Sequence, residues 1–82
     1  MKKIYESPLN GWDESAERIH IYALESDDEY WELKEMEHND LCVYFGMWEY
    51  GNDVMPGAIY YRYEFEITCN HVIVTETVAY NV

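Results

Sequence analysis

The most regular pattern in this chain lies at residues 59–68, where Ile59, Tyr61, Tyr63, Phe65 and Ile67 alternate with Tyr60, Arg62, Glu64, Glu66 and Thr68. A period of two puts successive side chains on opposite faces of a strand, so the first set is predicted to face a core and the second to face water. After Cys69-Asn70-His71 the chain turns, and residues 72–80 alternate again with many β-branched positions. Upstream, residues 41–50 (Leu-Cys-Val-Tyr-Phe-Gly-Met-Trp-Glu-Tyr) are dense in aromatic and β-branched residues and stop at Gly51-Asn52-Asp53. They predict a strand with two apolar faces, joined to the next by a loop closed at Pro56-Gly57. Three consecutive strands make an antiparallel meander, with Tyr61, Tyr63, Trp48 and Phe65 expected in its core.

The first half is less regular. In residues 18–25, Ile19 and Ile21 with polar neighbours favour a strand, whose rival is a helix capped by Asp13 that presents Ala16, Ile19 and Ala23 on one face. Residues 27–37 fit two templates. Ser26 and Glu29 have the spacing of a capping box, with Tyr30, Leu33 and Met36 three apart. Alternatively, Ser26-Asp27-Asp28-Glu29 is a hairpin loop and Trp31 and Leu33 share a strand face. Residues 1–17 carry turn signals at Ser7-Pro8 and Asn10-Gly11 and are expected to wrap the core. The expectation is a mainly β domain spanning residues 1–82, an antiparallel meander of about five strands curling toward a barrel. An α+β fold with one helix near residues 27–37 is the alternative.

Length limits this fold. A chain of 82 residues and 9.9 kDa buries on the order of 64% of its unfolded surface, enough for one thin core. With 49% hydrophobic and 17% aromatic residues it is not the composition of a disordered segment. Its formal charge, however, is −12, from 17 Asp and Glu against five Lys and Arg. Repulsion among these charges keeps stability marginal and should be relieved by salt or by a basic partner. The same charge excludes direct binding to nucleic acid and to anionic membranes, since both require a basic face. No apolar run of signal-peptide or membrane-spanning length occurs, and Cys42 and Cys69 are too few for a disulfide framework, so a cytoplasmic location is expected.

The charge is concentrated. Eleven of the 17 acids fall in residues 13–40, and residues 25–40 hold eight (Glu25, Asp27, Asp28, Glu29, Glu32, Glu35, Glu37 and Asp40) against a single base, Lys34. If residues 27–37 are helical, Asp28, Glu32 and Glu35 share a face. Carboxylates held in such an array imitate a phosphate backbone, so the expected partner is a basic nucleic-acid-binding protein. Trp31 and Tyr60 are candidate aromatic anchors beside or opposite the acids, as is Trp12, because Tyr and Trp combine apolar area with a polar tip.

In size, charge and aromatic β character the whole chain resembles the small acidic inhibitors encoded by phages and mobile elements, among them anti-CRISPR proteins and uracil-DNA glycosylase inhibitors. The resemblance involves no shared motif and carries no residue roles. It implies a non-catalytic protein of an infected or host bacterial cell that blocks a CRISPR effector or other defence nuclease by taking the place of nucleic acid. An immunity protein or antitoxin against a basic nuclease toxin, or a structural phage protein, are the alternatives.

No glycine-rich phosphate loop, Gly-x-Ser-x-Gly elbow or His-Glu-x-x-His occurs, and neither catalysis nor a cofactor is expected. One metal set merits notice. Were a strand at 41–50 paired with one at 58–68, then His38, Cys42, Cys69 and His71 would gather at one sheet edge as zinc ligands, though their spacing is not that of a zinc finger.

Overall fold

A computed structural model describes residues 1–11, 15–49 and 59–80. Strands β1 (Lys2–Glu6), β2 (Asn10–Gly11) and β3 (Ser15–Ala23) precede helices α1 (Asp27–Glu35) and α2 (His38–Phe45), and β4 (Ile59–Ile67) and β5 (His71–Tyr80) end the chain. The protein is mainly β, with one five-stranded antiparallel sheet in the order β1-β3-β5-β4 and β2 also paired to β3. The sheet is open and does not close into the expected barrel: its path runs from β1 at one end to β4 at the other. Nor is it a simple meander. β4 and β5 form a hairpin whose two-residue loop, Cys69-Asn70, is closed by the Thr68 N–H donating to His71 O at 2.8 Å. The two helices carry the chain from β3 past the position of β5 to the far edge, so that β5 pairs with both β3 and β4.

The alternation predicted for residues 59–68 is present. Register aligns Tyr61 with Val78, Tyr63 with Glu76, Phe65 with Val74 and Ile67 with Val72, and on β5 aligns Val74 with His20 and Val72 with Tyr22 of β3. These residues share the face on which the helices lie. Leu33 of α1, Leu41 of α2 and Met47 join Tyr63, Val72 and Val74 in the buried core. Tyr60, Arg62, Glu64 and Glu66 lie on the opposite face. The segment at residues 1–17 does more than wrap the core, because β1 extends the sheet beside β3 with a register shift between Lys3 and Tyr5.

Residues 27–37, open between helix and strand, are helical from Asp27 to Glu35. Ser26 is the N-cap, its Oγ accepting from the Glu29 N–H at 3.3 Å. Glu29 reaches back to the Glu25 N–H at 2.7 Å, and three acids in the first turn oppose the positive end of the helix dipole.

The strand expected at residues 41–50 is a helix instead. Glu37 and Asp40 form a reciprocal capping box at its start, and Gly46, at φ 69° and ψ 28°, ends it in the left-handed region. Only Leu41 and Cys42 of its residues are buried, while Val43 and Tyr44 are exposed. Dense apolar composition here reflects one turn of core contact plus an exposed outer face, not a strand buried on both sides. Trp48, expected in the core, is 67% exposed. The loop expected at residues 51–57 and Trp12 lie outside the described residues.

Among the described residues, no atom beyond the local backbone lies within 4 Å of where a Cβ would stand on Gly46, so the cost of substitution there is mainly one of backbone conformation. Gly46→Ala should destabilise the protein by about 1–2 kcal/mol and Gly46→Asn by less, measured by urea unfolding. Equal costs for the two would argue against the left-handed cap.

Candidate protein-binding surface

The exposed face of α1 is formed by residues three and four apart. Asp28, Trp31, Glu32 and Glu35 are all exposed, and Leu33 points inward at 1% exposure. From Asp28 to Glu35 is seven residues, about 10 Å of helix axis. Three carboxylates over that length give one charge per roughly 5 Å, compared with about 3.4 Å per phosphate along one DNA strand. The side chains of Asp28, Glu32 and Glu35 form no ion pair or hydrogen bond among the described residues. Lys34, the base within the acidic segment, lies over the Tyr30 ring at 5.9 Å, on the flank of this face. Trp31 is 62% exposed and meets Tyr30 edge-on at 5.1 Å between ring centroids.

The other acids expected in the patch divide into groups. Asp27, Glu37 and Asp40 are exposed, with Glu37 and Asp40 engaged in the α2 capping box. Glu25 and Glu29 turn instead toward the Met1 amino group, at 3.2 and 2.7 Å. The Met1 ammonium's hydrogen bond holds Glu29 below its ordinary carboxyl range, and the same bond raises the amino group. Both are therefore partly neutralised and contribute less to an outward field than Asp28, Glu32 and Glu35. Tyr60 is half-buried on the far face of β4 beneath Arg62, whose guanidinium stands 5.0 Å from its ring, and so is separate from the α1 face.

Further exposed apolar groups lie on and after α2: Val43 at 65% exposure and Tyr44, which the sequence did not single out, and Trp48, which it placed in the core. Like α1, α2 packs over β4. The helical layer thus presents exposed acidic and aromatic side chains together.

The arrangement supposed for zinc, two paired strands bringing His38, Cys42, Cys69 and His71 together, is not formed, because residues 38–45 are helical. Cys69 is exposed in the β4–β5 loop and His71 begins β5. His38 and Cys42 nevertheless meet as i and i+4 on α2, with Cys42 Sγ 3.7 Å from His38 Nε2. The third group there is Glu49, whose Oε1 is 2.9 Å from His38 Nε2 and whose Oε2 accepts from the Tyr63 N–H at 2.9 Å. Burial opposes the charged form of Glu49, yet the Tyr63 and His38 bonds outweigh it and hold the carboxyl below its ordinary range. Burial, and then the Glu49 charge, push the Cys42 thiol up. Sequence spacing alone gave no reason to join Glu49 to the two α2 residues, since the Tyr63 backbone of another element positions it.

Among the described residues no helix is long and apolar enough to cross a membrane. Comparison with protein-family models, with curated proteins and with solved structures finds no match to this chain.

Proposed function

We propose that this protein is a non-catalytic inhibitor that occupies the nucleic-acid groove of a basic enzyme, a CRISPR effector or another defence nuclease, in the cytoplasm of a bacterial host cell. The observation that supports this reading is the exposed α1 face, where Asp28, Glu32 and Glu35 flank Trp31 and form no ion pair among the described residues. A groove built to neutralise phosphates presents Lys and Arg, and a rigid row of carboxylates offers these side chains a competing anionic partner of complementary charge. Rigidity matters because an ordered helix gives up little conformational entropy on docking. Trp31 adds apolar area at the centre of the charged stripe, where a single anchor contributes most.

The test is titration against purified effector nucleases with and without their guide or target nucleic acid. Nanomolar binding is expected, weakening on the order of tenfold or more between 0.1 and 0.5 M salt, with nucleic acid and this protein excluding each other. Binding indifferent to salt, or simultaneous binding of both ligands, would remove the mimicry.

A further inference from the structure

We propose that His38, Cys42 and Glu49 form a binding site for one zinc ion, independent of the α1 surface. The nitrogen, sulfur and oxygen donors of these residues lie within 4.8 Å of one another. Zinc bonds of about 2.0–2.3 Å at tetrahedral angles place neighbouring donors roughly 3.3–3.6 Å apart. The observed separations, 2.9 Å from His38 Nε2 to Glu49 Oε1 and 3.7 Å from Cys42 Sγ to the same nitrogen, bracket that range. The third pair, the Cys42 sulfur and the Glu49 carboxylate, lies within 4.8 Å, so binding an ion draws these two closer by up to about 1 Å while the other two separations change by a few tenths of an ångström.

An ordinary surface His–Glu hydrogen bond does not account for the third member. The carboxylate oxygen and the sulfur converge on the same ring nitrogen, which carries at most one proton and cannot satisfy both along good hydrogen-bond directions. A cation at the centre of the three satisfies all of them. Imidazole, thiolate and carboxylate together favour zinc over magnesium or calcium, which require all-oxygen shells.

The ligands are positioned in advance. One turn of α2 sets His38 and Cys42 on the same side, and the His38 ring meets Phe65 edge-on, with centroids 5.6 Å apart at 69°. The Tyr63 N–H holds Glu49 Oε2, leaving Oε1 toward the cluster, an outer-shell hydrogen bond of the kind that orients metal ligands. Access is provided by an open pocket lined by Asn39, Cys42, Val43, Met47, Trp48 and Glu49. Three protein ligands leave a fourth position open to water in that pocket. Once filled, the site ties α2 and the segment after it to the edge strand β4.

The experiment is titration of the reduced, chelator-treated full chain with Co²⁺ and then Zn²⁺. One equivalent of Co²⁺ should give the near-ultraviolet thiolate-to-cobalt charge-transfer band and intense visible bands of a tetrahedral site, all bleached by one equivalent of Zn²⁺. Cys69→Ser and His71→Ala should leave the titration unchanged. His38→Ala, at an exposed position that leaves the core intact, should weaken binding by more than about 100-fold, and Cys42→Ser should remove the charge-transfer band. Absence of the band in the unmodified protein overturns the site, as does a band that survives His38→Ala or disappears in Cys69→Ser.

Discussion

Replacing Glu32 and Glu35 with Lys together with Asp27→Asn and Asp28→Asn should abolish binding to a basic nucleic-acid enzyme while leaving the fold in place. The two Glu→Lys changes add four units of charge and the two Asp→Asn changes add two, taking the formal charge from −12 to −6. Asn is chosen for the first-turn positions because Lys there would oppose the helix dipole and confuse loss of binding with loss of α1. Close charge pairs across electrostatic interfaces couple by about 1.5 kcal/mol or more each. Losing three or four of them costs at least about 4 kcal/mol, or roughly a thousandfold in Kd. The control is Glu64→Lys with Glu66→Lys, which adds four units of charge on the far face of β4, where neither carboxylate makes an ion pair among the described residues. It should change the affinity only severalfold, through the long-range field. If the control matches the α1 variant, net charge rather than a located surface governs binding. If the α1 variant binds fully, the face is not the interface.

That surface was legible in the sequence for a definite reason. Asp28, Glu32 and Glu35 share a face under helical spacing, and Ser26 with Glu29 supplied the start signal that made a helix one of the two readings. Nine residues are too few for periodicity alone to decide, and the burial of Leu33 against the sheet is a tertiary event. Glu25 and Glu29 could not be separated from the other acids by sequence, since what distinguishes them is the nearby Met1 amino group. The β4–β5 hairpin was the most legible part, because two alternating runs joined by a short polar turn leave few other registers. The failure at residues 41–50 is equally instructive. Helix α2 has eight residues, and its aromatic density reads as strand. The discriminating signals were Glu37 and Asp40 three apart before the run and Gly46 within it, a helix start and a stop. Glu49 as a partner of His38 was beyond sequence reasoning, because its place depends on the hydrogen bond it accepts from the Tyr63 N–H of β4.

Glu76→Ala should cost about 3–5 kcal/mol, a large part of the roughly 4–12 kcal/mol that a chain of this length possesses. Glu76 lies on the helix-facing side of β5 at 8% exposure. Its Oε1 accepts from His20 Nε2 at 3.0 Å and from Arg18 Nη1 at 3.4 Å, and its Oε2 accepts from the Tyr63 hydroxyl at 3.2 Å. Removing the carboxylate takes an acceptor from the buried His20 ring and Tyr63 hydroxyl and from the half-buried Arg18 guanidinium, and a buried donor that loses its acceptor carries a desolvation penalty. Glu76→Gln, which keeps one acceptor oxygen and the shape, should cost less than half as much. Adding His20→Leu to Glu76→Ala should cost less than the sum of the single changes by 1 kcal/mol or more, because the two residues share one bond. Urea unfolding of the set decides the matter, and a Glu76→Ala variant within 1 kcal/mol of the parent would mean that the network does not anchor the sheet. The consequence reaches the surface. Arg18, one of only five strong bases, is committed to this network, Lys3 pairs with Glu6, and Lys34 and Arg62 lie over tyrosine rings. Arg18, Lys3 and Arg62 thus make their contacts within the sheet, and the carboxylates on the outer face of α1 form no ion pair among the described residues.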